Sequence, residues 1–155
     1  MIIGIIVLVL FLLRKPINKA MTRGYRNNNF GNIRKTYDTK GNQTFWKGEI
    51  KGTDTAFKTF ATPSDGYRAL FALLIEYNRK GFNTIRKIIS RYAPSNENDT
   101  MSYINHVSKK TGKEPDDLIV TSDSELLKKL VAAISLQENG IEPDPNDISE
   151  GLKKL

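Results

Sequence analysis

SDSELLKKLVAAISLQENG, residues 122–140, carries the strongest helical pattern in this chain. Ser122 and Glu125 have the spacing of a capping box, and Gly140 stands where a helix would end. Leu126, Leu127, Leu130, Val131 and Ile134 fall on one face, and the next position along that stripe is Glu138. An acid thus occupies a place where an aliphatic side chain would run on into the core. Desolvation and the negative end of the helix dipole both favour a protonated carboxyl there, which is how a general acid is made. The competing reading is a frayed last turn with Glu138 pointing into water.

Working outward from this helix, the neighbouring segments repeat its period. A helix is expected from about Ser64 to Lys80, with Ala69, Leu70, Leu73, Leu74 and Tyr77 on one face and Gly81 closing it. Thr84 to Tyr92 follows, with Ile85, Ile88 and Ile89 inward and Pro94 as a stop. Thr100 to Thr111 shows Tyr103, Ile104 and Val107 and ends at Gly112, and Asp147 to Leu155 reads as a short amphipathic tail. Only Phe45 to Phe60 breaks the pattern, alternating aromatic and polar residues around Gly48 and Gly52 as a small hairpin or irregular sheet would. The fold class is therefore mainly α, α+β in detail, and a cleft between unequal helical and sheet lobes would suit an extended polymer.

The N-terminal end differs in kind. Ile2 to Leu13 is an apolar run broken only by Gly4, about 18 Å long as a helix against a hydrocarbon layer of roughly 30 Å. Arg14, Lys15 and Lys19 could snorkel to complete the span. No cation precedes the run, so an uncleaved single-pass anchor is preferred to a cleaved signal peptide. By the positive-inside rule the folded part would face the cytoplasm or the lumen of a membrane-bearing particle, so the expected location is a virion membrane or a host cell membrane. The chain then divides into an anchor (1–17), a basic linker (18–26) that can lie on anionic headgroups, and one folded domain (27–155).

Charge placement constrains partners further. Seven of the 24 Lys and Arg precede the first acid, Asp38, which leaves 17 to balance the 17 Asp and Glu. The folded part is neutral, so no specific nucleic-acid partner is expected, since a DNA-binding domain spreads its cations over a folded face. The chain has no cysteine and one histidine, His106, set between Ile104 and Val107 and read as structural. Asp144, Asn146 and Asp147 lack the glycine and terminal glutamate of a calcium loop. Neither a metal nor a cofactor is expected.

Two groups of residues point to a carbohydrate. Tyr25, Trp46, Tyr92 and Tyr103 have rings on which sugars stack, and Asn29, Asn32 and Asn98 pair donors with acceptors suited to acetamido groups. Asn27-Asn28-Asn29-Phe30-Gly31-Asn32-Ile33-Arg34, then Trp46-Lys47-Gly48 and Phe57-x-x-Phe60, resembles the Asn-Asn-x-Phe-Gly block and hairpin of the lysozyme-like superfamily, nearest to its glucosaminidase and lytic transglycosylase branches. With Gly66-x-Arg68-Ala69, Ala93-Pro94 and Glu97-Asn98-x-Thr100, the series is similar to lysozyme-like proteins of phages and prophages and covers about residues 24–140. In the better-known branches the catalytic glutamate ends a helix as Glu-Ser-Gly ahead of the asparagine block. Here the matching tripeptide, Glu138-Asn139-Gly140, lies after it, so the order looks circularly permuted.

The resemblance implies a lysozyme-like two-lobed domain that cuts the β-1,4 bond between N-acetylmuramic acid and N-acetylglucosamine in peptidoglycan glycan strands. Glu138 would be acid and base, Glu49 the reserve catalytic candidate, and Tyr25, Asn29, Asn32, Arg34, Trp46, Tyr92, Asn98 and Tyr103 the substrate contacts. A two-carboxylate muramidase would need Glu49, Asp54 or Glu97 as partner, whereas a lytic transglycosylase needs none, and one convincing acid favours the latter. Two other readings stay open: an inactive lysozyme-like structural protein of a membrane-containing virion that binds glycan or other virion proteins, and a basic juxtamembrane adaptor.

Overall fold

The computed structural model describes residues 22–94 and 99–155. The expected anchor at residues 2–13, the linker up to residue 21, and both Glu97 and Asn98 lie outside the described residues. Among the described residues no helix is long and apolar enough to cross a membrane.

The described chain is a mixed α+β fold of six helices and two small antiparallel ladders. α1 (Arg23–Arg26) is capped by Thr22, whose side chain accepts from the Tyr25 N–H. These four helical residues fall within the segment expected as a basic linker up to Arg26. The helix is too short to show a periodic apolar stripe, and Gly24 is buried by close approach to Asn139 and to the Asn29 carbonyl. β1 (Thr36–Tyr37) pairs with β2 (Gln43–Thr44), and β3 (Glu49–Ile50) pairs with β4 (Thr59–Phe60). The β3–β4 hairpin falls inside Phe45–Phe60, the stretch expected as a small hairpin or irregular sheet, whereas the β1–β2 ladder, beginning nine residues before that stretch, was not expected. Strands of two residues are below the length that composition patterns resolve.

The long helices fall close to the sequence expectations because each carries its own start and stop chemistry. α2 (Pro63–Arg79) starts at Thr62, α3 (Ile85–Tyr92) at Thr84, α4 (Thr100–Thr111) at Asp99, and each capping side chain accepts a backbone N–H from the first turn. α5 (Ser124–Asn139) is capped by Asp123, whose carboxylate accepts from Leu126 N at 3.0 Å, in place of the expected Ser122 capping box. It ends at Gly140 in the left-handed region, where a β-carbon would be strained. α6 (Pro145–Lys153) completes the chain. It packs along α2, while α5 packs against α4 and α1.

The core lies between these helices. Leu70, Phe71 and Leu74 of α2, Ile85, Ile88 and Ile89 of α3, and Leu127, Leu130 and Ile134 of α5 are all buried. Each contributes on the order of 1.5–3 kcal/mol by leaving water. Tyr67 spans this core, stacked on Phe30 at 4.2 Å with its hydroxyl 3.2 Å from Ser135. Through Phe30, the asparagine loop is fastened to the helical body that carries Glu138.

Candidate functional site

The asparagine block, residues 27–32, folds into a tight loop because asparagine tolerates what the backbone needs there. Asn28 and Asn32 both have φ 47°, a left-handed conformation that asparagine adopts more readily than other residues with a β-carbon. Asn29 lies at its centre with no exposed surface. Its amide donates to the carbonyls of Ile33 and Lys58 at 2.9 Å each, and its oxygen accepts from Ile33 N at 2.8 Å. Asn28 donates to the Phe60 carbonyl at 3.1 Å, and backbone bonds from Lys58 N to Ile33 O and Phe60 N to Asn27 O tie the loop to β4. Asn29 is therefore an internal staple and not the substrate contact expected of it.

This loop forms one wall of a groove of about 730 Å³. Gly31 and Asn32 come from the loop, Arg34 from just after it, Thr36, Trp46 and Phe57 from the ladder side, and Leu73 and Tyr77 from α2. Arg91, Tyr92 and Pro94 come from the end of α3, and Glu138 from the last turn of α5. The Glu138 side chain is half-buried and held on both oxygens. Asn32 Nδ2 donates to Oε2 at 2.9 Å, and the Tyr103 hydroxyl donates to Oε1 at 3.0 Å. Tyr103 is buried at 2% exposure and does not line the groove, so its part is to hold Glu138 and not to stack on a ligand. Tyr92 lines the groove, crosses Tyr103 edge-on at 6.5 Å and donates its hydroxyl to the Gly31 carbonyl. Burial, reinforced by the charge of Glu138, pushes both phenols well above their usual value, so both remain protonated donors.

The other candidates separate by position. Trp46 and Arg34 line the groove, and the Arg34 guanidinium lies 5.0 Å from the Phe57 ring centre. Tyr25 does not line it: its ring packs edge-on against Phe30 at 5.0 Å, and its phenol is raised by burial and then by Asp147 and Asp144 of the α6 region. Glu49 is also outside the groove lining, with its carboxylate closed off. That carboxylate accepts from Lys58 Nζ at 2.8 Å, Trp46 N at 2.9 Å and Gln43 Nε2 at 3.0 Å, and both partners of the ion pair are completely buried. Asp54 is likewise engaged, by Arg23 at 2.7 Å and Asn27 at 2.9 Å. Among the described residues, Glu138 is the acid in the groove lining. The His106 ring Nε2 lies 3.1 Å from the Ala133 carbonyl, which fits its expected structural role.

No family model matches the chain. Over 140 residues it is 40% identical to Protein P5 of Pseudoalteromonas phage PM2, an alignment that covers 88% of this chain and 83% of that protein. The chain belongs to the family of that bacteriophage protein.

In this P5-family chain, sequence reasoning missed one residue that shapes the site from behind. Lys58 is fully buried, with Nζ bound to Thr36 Oγ1 at 2.9 Å, Thr44 O at 3.2 Å and Glu49, and it lies 4.7 Å from the centre of the Trp46 ring. The lysine covers one ring face from inside the protein, so ligand access is left to the rest of the ring. A lone lysine two residues before a strand end carries no signal of burial, because lysine is almost never fully buried unless paired. Arg91 and Tyr77 were also missed. Tyr77 stood on the apolar face expected for α2 and Arg91 beside that of α3, but only the packing of the two helices aims them into one groove.

Proposed function

We propose that this chain is a phage virion-associated lytic transglycosylase, anchored in a membrane by residues 2–13 and the basic segment after them. It cuts the β-1,4 bond between N-acetylmuramic acid and N-acetylglucosamine. On this reading the helical body and the ladder region are the two lobes of a lysozyme-like domain, with the glycan strand lying in the groove between them. The observation that carries the reading is the setting of Glu138: a half-buried carboxyl at a helix end, in a groove wall, gripped on both oxygens by Asn32 and Tyr103.

The chemistry needs one group with two protonation states. Protonated Glu138 gives its proton to the glycosidic oxygen as the bond from muramoyl C1 to that oxygen breaks. The muramoyl 6-hydroxyl then bonds to C1 and passes its proton to the Glu138 carboxylate, which restores the acid and leaves a 1,6-anhydro end. Asn32 suits both states. Its Nδ2 donates to the carboxylate, while its buried Oδ1 has no hydrogen-bond partner among the described residues, so a half-turn of the amide presents an acceptor to the carboxylic acid. Trp46 and Tyr92 offer ring surface to sugars along the groove. The engagement of Glu49 by Lys58 and of Asp54 by Arg23 supports the intramolecular route over a two-carboxylate hydrolysis.

The test uses the full chain in detergent on purified sacculi. Soluble fragments with anhydro-muramoyl ends are expected from the wild type and none from Glu138→Gln at unchanged Tm. Reducing ends would make it a hydrolase. Absence of cleavage by the wild type would leave a glycan-binding or structural virion protein.

A further inference from the structure

Arg91 is part of the groove lining. That residue also lines a second hollow of about 590 Å³, formed with Lys80, Phe82, Arg86, Lys87 and Ser90 on the outer side of α3. Among the described residues, four cations line the hollow and no acid does. Two are partly neutralised from outside it, Lys80 by Glu76 at 3.2 Å and Arg86 by Asp116 at 2.8 Å. Lys87 and Arg91 stand one helical turn apart on the exposed face of α3 and form no ion pair among the described residues. The Phe82 ring sits behind, 5.9 Å from the Arg91 guanidinium. An apolar floor under converging positive charge recognises a small ligand that bears carboxylates and short apolar side chains.

We propose that this hollow binds the acidic stem peptide of peptidoglycan. The inference rests on the reading of the groove as a glycan site. A glycan strand in the groove carries a peptide on the lactyl group of every muramoyl unit, and those peptides bear several carboxylates. Since Arg91 belongs to both spaces, a peptide leaving the groove beside it passes directly onto Lys87 and Phe82. The hollow then selects peptide-bearing strands over strands stripped of their peptides.

The experiment compares the full wild-type chain with Lys87→Glu on two substrates, intact sacculi and strands freed of peptide by an amidase, and measures binding of a free stem tetrapeptide by calorimetry. Lys87 lines the hollow and not the groove. Lys87→Glu is expected to raise the KM for sacculi several-fold with kcat unchanged, to leave cleavage of stripped strands at the wild-type level, and to abolish tetrapeptide binding. Lys87→Arg should restore all three. Equal loss on both substrates, or equal tetrapeptide binding by wild type and Lys87→Glu, would overturn the proposal. So would tighter binding of glycerol phosphate than of tetrapeptide, which would make the hollow a phosphate site. Tetrapeptide binding that needs Lys87, with neither substrate cleaved, would uphold the hollow and defeat the cleavage reading. Cleavage of both substrates with equal KM and no tetrapeptide binding would do the reverse.

Discussion

Asn32 and Glu138, 106 positions apart in sequence, meet at 2.9 Å in the wall of the groove. The contact exists because Asn32 is held in the left-handed region at one end of the loop, which turns its amide toward the last turn of α5. Two roles are combined in one residue and can be separated. Asn32→Gly keeps the backbone conformation and removes only the amide. Stability is expected to change by less than about 1 kcal/mol, since the lost hydrogen bond is partly exposed. The proposed sacculus cleavage should fall roughly 10- to 100-fold, the loss expected when a charge-assisted bond of about 1.5–3 kcal/mol no longer holds the carboxyl in place. Initial cleavage rates alongside thermal melts check both halves. Unchanged cleavage would mean that Tyr103 alone positions Glu138.

The buried pair of Lys58 and Glu49 makes a second prediction about the same wall. Removing one partner leaves the other charge buried without compensation, which costs about 3–5 kcal/mol. Lys58→Met should therefore lower Tm markedly, and Lys58→Met combined with Glu49→Leu should recover much of the loss. Trp46 is the one tryptophan of the chain, so its fluorescence reports this site without interference. Loss of the cation 4.7 Å from the ring should shift the emission in both variants, even where stability recovers. A double variant as unstable as the single would show that Glu49 is not the charge being compensated.

How far these features could be read from the residues depends on their range. α2 to α5 were legible because apolar stripes and capping residues are local, and Glu138 was found as a break in one such stripe. The setting of Asn29 was not, because an asparagine in a turn looks the same whether its amide faces a ligand or the carbonyls of Ile33 and Lys58. Tyr25 and Tyr103 were grouped with the groove by residue type, yet one packs on Phe30 and the other sits behind Glu138, a distinction that only tertiary packing makes. Lys58 and Glu49 were invisible as a pair, because the residues between them run through the connection from β3 to β4 and only the ladder brings them together.

Gly66 tests how tightly the asparagine loop is set. A β-carbon on Gly66 would run into the Asn28 carbonyl oxygen and lie 2.8 Å from its carbonyl carbon, and backbone cannot swing aside as a side chain can. Gly66→Ala in the first turns of α2 would gain helix propensity in isolation. The clash should reverse the sign, lowering stability by about 1–3 kcal/mol as over-packing does, and push Asn28 to Asn32 away from α5. Melting temperature and the amide resonances of Asn32 and Glu138 check this. A stabilised variant with unmoved resonances would show that the loop yields freely.

Asp54 governs the response of the loop to acid. Its carboxylate is held well below the usual carboxylate range, first by hydrogen bonds from Arg23, opposed by partial burial, and then by bonds from the Phe57 and Ala56 amides and Asn27. The folded state binds this proton more weakly than the unfolded chain, whose aspartates titrate near about 3.9. The stabilisation is therefore fully present above roughly pH 4 and is lost as pH falls below that toward the depressed folded value. Asp54 joins α1 to the segment before β4, so its protonation should release α1 and then the Gly24 contact with Asn139. Asp54→Asn is expected to be less stable than wild type at neutral pH and to lose less stability between pH 5 and 2, flattening the acid limb. Tm measured across that range decides it. A parallel acid limb in the variant would place the titrating group elsewhere and leave α1 held by packing alone.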